Sequence, residues 1–358
     1  MLPYWFIFFI PAIFALYAHP VAMRNADGTV RARVDLLWVS MIVILTCLIG
    51  FRFEVGGDWK AYLSNLDNME KYSYAWVFSQ VEFSHWFLNK LVYEFGLSIT
   101  AVNLVYGFIF STGLVVFSRV QPRPWLAFAC AVPYLVIVVA MGYSRQGVAI
   151  GLALIGLVAL RRERFKSFVF WICVAATFHN TALFLLSVAV FAVKKGKYIK
   201  LLAIGIISIV LYRFFLETKL NQLLYTYVID TDSTSEGALI RLSMNAIAAI
   251  IFLWYKSVFI LTPDERKLWT IISWSSLLFL VAYFLTGLST ALDRLALYLI
   301  PLQLVTAAHF PDAYGSAGKR NNGLSFLILL YFFVVQFIWL NFATHSVYWL
   351  PYQVGLVK

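Results

Sequence analysis

Long apolar runs, separated by short polar breaks, recur along the whole 358-residue chain. A helix needs about 20 apolar residues to cross a hydrocarbon core of about 30 Å. The runs fall at approximately 4–18, 35–50, 99–118, 124–141, 146–160, 166–178, 181–193, 198–215, 239–255, 268–287, 294–309 and 324–342. They predict an all-α polytopic membrane protein with about 12 transmembrane helices. The sixth and seventh are short for full crossings and fit as tilted or bundle-buried pieces. The first run has no basic leader and no small-residue cleavage site, so it reads as a retained helix. Two longer polar stretches interrupt the pattern, at about 51–98 and 216–238. In the first, Phe83, Trp86, Phe87, Leu91 and Val92 share one helical face. That face fits an amphipathic helix at the membrane surface or an ordinary packed helix. The second ends "DTDSTSEGALIRL", a loop composition feeding a helix start. No polar stretch is long enough for a soluble domain, and 1–358 reads as a single polytopic domain.

Composition agrees: 62% hydrophobic, 18% aromatic and 13% charged, where soluble domains carry about 25% charged residues. Charge then orients the chain. Threading it through the twelve runs puts 18 of the 28 basic residues in short loops on one face, net +12, and leaves the other face at −1. Basic short loops stay cytoplasmic. Both termini and the stretches 51–98 and 216–238 are then extracytoplasmic. The net charge of +11 therefore reflects orientation, and no nucleic-acid-binding motif accompanies it. Cys47, Cys130 and Cys173 lie inside apolar runs, where cysteine packs as a small hydrophobe. No nucleotide-binding fingerprint is present.

Against this background five arginines stand out. Arg52, Arg145, Arg213, Arg241 and Arg294 lie at the ends of apolar runs, all on the external side. A charge beside hydrocarbon costs a few kcal/mol, and clustered cations kept there point to an anion. Arg52 and Asp58 flank Gly56–Gly57, where glycines allow a tight turn and close approach to a ligand. Arg145 and Gln146 open a helix after "MGYS", and a helix N-terminus itself favours anions. Arg241, after "SEGAL", repeats that placement, as does Arg294, before which Asp293 is suited to N-capping. Arg213 sits among aromatics beside Glu217 and fits anchoring. His179 in "ATFHNTA" has no neighbouring metal-ligand partner, so zinc is not expected; it suits phosphate or sugar contact, or base chemistry. Glu82 is an acid in an apolar-aromatic patch, where burial raises a carboxyl pKa. "DTD" at 230–232 is the one acidic pair of metal-binding appearance, and it stands apart from the arginines.

"FRFEVGGDWKAY", "YSRQGVAIGLALIGL", "FHNTAL", "EGALIRL" and "DRLALYLIPLQL", in this order, resemble the EpsG-like branch of the Wzy polysaccharide polymerases over roughly residues 50–305. The resemblance implies a GT-C-like glycosyltransferase architecture with short periplasmic helices. It implies polymerisation of undecaprenyl-diphosphate-linked oligosaccharide repeat units at the outer leaflet of a bacterial inner membrane, with the active site facing the periplasm. Donor and acceptor are then both lipid-linked, membrane lipids surround the enzyme, and a chain-length regulator is an expected partner. On this reading Arg145, Arg241 and Arg294, with Arg52, bind the donor diphosphate. Trp59, Tyr62 and Gln146 line the sugar side, with Trp86 and Tyr143 as further stacking aromatics. The base for the acceptor hydroxyl is Asp58, His179 or Glu82. No cofactor and no metal are expected, because arginines supply the charge neutralisation. A lipid-linked oligosaccharide flippase or transporter, or an O-antigen ligase, is the alternative. Neither an internal repeat nor paired broken helices favours transport.

Overall fold

The computed structural model describes residues 1–18, 35–192, 205, 237–286 and 289–355. Among these the chain is all-helical apart from one two-residue antiparallel pair, β1 (Arg52–Phe53) with β2 (Gln353–Val354), in which Arg52 faces Val354. Five helices are long and apolar enough to cross a membrane. They are α6 (Ile99–Arg119), α8 (Ser144–Arg161), Ala238–Tyr255, Pro263–Thr286 and Asn322–Phe342. A sixth is counted if the pair Ser289–Leu299 and Pro301–Tyr314, bent by 43°, forms one span. Shorter apolar helices occupy α1 (Leu2–Tyr17), α2 (Leu36–Gly50), α7 with its continuation (Pro124–Ala140) and α9 (Phe165–Phe178). At 1.5 Å per residue α9 is about 21 Å long, short of a full core as its apolar run predicts. The predicted segment 198–215 apart from residue 205, Arg213 with it, and the "DTD" at 230–232 lie outside the described residues.

The described chain forms two compact units. The first comprises 1–179 and 307–358. Its centre is α6, packed between α2 and α8, with α9 on the far side of α8. The α6 and α8 backbones touch: a Cβ built on Gly113 would lie 2.0 Å from the Gly151 carbonyl oxygen. Only glycine permits this approach. α7 (Pro124–Ala131) runs on as a π-helix, Val132–Ala140, and both pieces are buried throughout. Trp38 stacks on Trp125 at 3.9 Å, and Phe14 on the same indole at 4.7 Å. Arg123 is buried between the Asp312 carboxylate (2.8 Å) and the carbonyls of Lys319 and Arg320.

Residues 51–98, read as a loop with one helix, carry three short helices: α3 (Trp59–Asp67), α4 (Tyr74–Ser79) and α5 (Phe83–Glu94). The buried side of α5 is largely polar. Its buried residues are His85, Asn89, Lys90 and Val92, while Phe83, Trp86, Phe87 and Leu91 are only half-buried. The half-buried apolar side is the face that the spacing picks out, and the buried side is held by hydrogen bonds.

The second unit, 180–306, holds α10 (Phe184–Ala192), α11 (Ala238–Tyr255), α12 (Pro263–Thr286) and α13 (Ser289–Ala296). α12 packs on both α10 and α11. α13 begins five residues before Arg294, so Asp293 lies inside the helix and does not cap it. The break before Pro301 frees the Ala296 carbonyl, which the Asn245 amide reaches at 2.9 Å. Gln303 holds that amide's oxygen at 2.6 Å.

Candidate functional site

Arg52 and the loop that follows it come first. The guanidinium is 1% exposed. Nε donates to the Val55 carbonyl at 3.2 Å, Nη1 to the Ile49 carbonyl, and Nη2 to Asn103 Oδ1 (3.0 Å) and Ser144 Oγ (2.6 Å). The indole of Trp59 lies 5.8 Å from its carbon. Burial lowers this arginine to about 10. Turned inward and bonded on all three nitrogens, Arg52 does not face a diphosphate. It joins the end of α2, the middle of the unit and the first residue of α8. The glycine at 56 likewise serves the chain: at φ +110 its Cβ position falls 2.3 Å from the Met141 carbonyl oxygen. Backbone, not ligand, is what makes the close approach.

Ser144 opens α8, and Arg145 follows it. Arg145 Nη1 donates to Glu82 Oε2 at 2.8 Å. The other oxygen of that carboxylate, Oε1, lies 2.7 Å from His179 Nδ1. One carboxylate thus bridges an arginine and a histidine drawn from α8 and from the end of α9. Glu82 is therefore an ion-paired group and not an acid isolated in an apolar patch. A carboxylate at Nδ1 favours the tautomer with its proton there, which puts the imidazole lone pair on Nε2. That Nε2 is buried and has no hydrogen-bond partner among the described residues. Arg145 keeps 30% of its side chain exposed, against 14% for Glu82 and 10% for His179. Its backbone N–H points at the Tyr62 hydroxyl (3.3 Å), and the Gly147 N–H bonds the Tyr143 carbonyl (2.8 Å). Two of the first four amides of α8 are therefore already bonded.

Trp59, Tyr62 and Gln146 are all buried. Trp59 lies beneath Arg52 and Tyr62 against Arg145, whose guanidinium carbon is 5.8 Å from the phenol ring. Burial raises the Tyr62 phenol, with Arg145 opposing and Asp58 reinforcing the shift. Trp59 and Tyr62 thus pack against the two arginines. Asp58 occupies the N-cap position of α3, and its carbonyl accepts the Tyr62 N–H at 3.0 Å.

Sequence reasoning missed His85. It is fully buried three residues after Glu82, with Nδ1 2.6 Å from the Tyr106 hydroxyl and 3.2 Å from the Asn89 amide. Asn65 approaches Nε2 at 3.4 Å. Burial, aided by the Arg145 charge, lowers this imidazole to about 3 and keeps it neutral. Next to it, Ser84 donates to Thr177 Oγ1 at 2.7 Å. The first turn of α5 is thereby tied to α3, α6 and α9, which sets Glu82 between its two partners. A histidine and an asparagine four residues apart in "HWFLN" were the available signal.

In the second unit Arg241 stands in the first turn of α11, as its motif predicts. Nε and Nη2 donate in parallel to the two oxygens of Asp293, and both side chains are 9% exposed. Arg241 is a neutralised, buried partner of Asp293 and is not a cation open to an anion. Arg294, the next residue, is exposed on α13. Among the described residues no three His, Cys, Asp or Glu side chains gather into a metal-binding group.

A family model described as the EpsG family matches residues 35–354. The chain belongs to the EpsG family. It is a multi-pass membrane protein, and its family supports a function of the polysaccharide-polymerase type. No curated protein and no solved structure matches it.

Proposed function

We propose that this EpsG-family protein joins lipid-linked oligosaccharide repeat units by glycosyl transfer, with undecaprenyl diphosphate as the leaving group. The single observation that carries this reading is the Arg145–Glu82–His179 arrangement, in which Glu82 holds a histidine whose buried Nε2 has no hydrogen-bond partner among the described residues. The acceptor hydroxyl gives its proton to His179 Nε2 as its oxygen attacks the anomeric carbon of the donor glycan. The anomeric carbon–oxygen bond to the diphosphate breaks, and the departing charge is met by the guanidinium nitrogens of Arg145. Removing one such stabilising donor typically costs about 3–4 kcal/mol. Of the three candidate bases the geometry favours His179. Glu82 orients it, and Asp58 belongs to the supporting loop. Arg241 is assigned to holding Asp293, and Arg52 to holding the start of α8. Arginine, not a metal ion, carries the charge neutralisation in this scheme. About twelve crossings, a GT-C-like architecture and an outer-leaflet site in a bacterial inner membrane complete the proposal, with a chain-length regulator as partner.

Deleting the gene tests it. Single lipid-linked repeats accumulating on the outer leaflet support a polymerase. Accumulation on the inner leaflet points to a flippase, and long unattached chains point to a ligase; either outcome removes the proposal.

A further inference from the structure

The segment after the last long helix is built into the floor of the site. Trp349 is 2% exposed. Its Nε1 donates to the Ile137 carbonyl of the π-helix at 2.7 Å, and its own carbonyl accepts from the Tyr4 hydroxyl at 2.7 Å. The indole lies against Gly142, where a Cβ would fall 2.3 Å from ring atom Cζ2. On either side of it the chain is tied down again. The Tyr348 carbonyl accepts the Gly56 N–H at 2.8 Å, Tyr352 donates to the Leu48 carbonyl at 2.7 Å, and β2 pairs with the strand that carries Arg52. Three contacts from this assembly meet one short turn. Gly56 presses on Met141, Trp349 on Gly142, and Arg52 bonds Ser144; Arg145 is the next residue.

We infer that Trp349 is a positioning residue for Arg145, acting through the turn 141–144 and so through the donor-diphosphate contact. The inference rests on the function proposed for Arg145. The indole N–H donates to the Ile137 carbonyl four residues before the turn begins. A glycine at 142 is then required by the ring it faces.

Binding of undecaprenyl diphosphate to the purified full-length protein, titrated by native mass spectrometry, tests this. Trp349→Phe keeps a ring and removes one hydrogen bond. It should weaken binding roughly fivefold to tenfold, the effect of one buried hydrogen bond. Gly142→Ala, which displaces the same ring from the opposite side, should reproduce that loss. In an Arg145→Ala background Trp349→Phe should weaken binding no further. Wild-type binding by Trp349→Phe, or the same fold loss again in the Arg145→Ala background, overturns the inference while leaving Arg145's role intact. Undiminished binding by Arg145→Ala alone overturns the function reading and this inference with it.

Discussion

Replacing Glu82 by Gln separates charge from shape at the centre of the site. The amide is nearly isosteric, so α5 keeps its place through His85 and Ser84. Two contacts change. The Arg145 guanidinium at 2.8 Å loses its ionic partner, and His179 Nδ1 at 2.7 Å faces either a neutral carbonyl or an amide donor. If the amide turns its NH2 toward Nδ1, the imidazole adopts the other tautomer and Nε2 carries the proton it should accept. Asparagine in place of the orienting aspartate of a serine-protease triad costs about 10⁴ in kcat for this reason. Here the histidine activates no nucleophile of the protein and the leaving group needs no protonation, so a smaller loss is expected. About 10²–10³ in kcat corresponds to roughly 3–4 kcal/mol, at 1.36 kcal/mol per tenfold. Donor KM should move much less, because Arg145 remains. The assay is dimer formation from lipid-linked repeat units in vesicles, followed over time at several donor concentrations. A Glu82→Gln enzyme within twofold of wild-type kcat would refute the role given to the carboxylate.

Three further outcomes follow from the packing. Arg241→Ala leaves the Asp293 carboxylate buried without its ion partner and should cost about 3–5 kcal/mol, whereas removing both partners together should cost less; melting of the detergent-solubilised protein measures both, and a double variant less stable than either single would contradict the pairing. His85 has a folded pKa of about 3 against an ordinary value of about 6.5, so the unfolded chain binds the proton first as pH falls. Stability present above pH 6.5 should therefore decline through the window down to pH 3, by about 2 kcal/mol at pH 5; a His85→Gln protein with the same pH slope would exclude this residue as the cause. Arg52→Lys keeps the charge but loses the planar fork that reaches Asn103 and Ser144 together, and should destabilise by about 1.5–3 kcal/mol, read as a lower melting temperature.

Hydropathy made most of the helices legible because apolar length is a local property. The run at 99–118 became Ile99–Arg119, and the run at 324–342 became Asn322–Phe342. The start of α13 was not legible, because its first turns are polar and look like loop. Within the site, Arg145, His179 and Glu82 were each marked by placement and residue type. Their union was hidden, since Glu82 meets partners 63 and 97 positions away. Arg52 carried the same mark as Arg145 and turned out to be buried. What separates them is the presence of Asn103 and Ser144 at hydrogen-bond distance from one and not from the other, which no local pattern encodes. Trp349 and the two-residue strand pair gave no periodic signal at all, being too short for one.

The most direct test is polymerisation by the purified protein in vesicles, supplied with undecaprenyl-diphosphate-linked repeat units alone, for wild type and His179→Ala. The account predicts a ladder of lipid-linked multimers and released undecaprenyl diphosphate from wild type, with His179→Ala reduced at least about a hundredfold, as for loss of a general base. A wild-type protein that releases no undecaprenyl diphosphate, or a His179→Ala protein that builds the ladder at the wild-type rate, would contradict it.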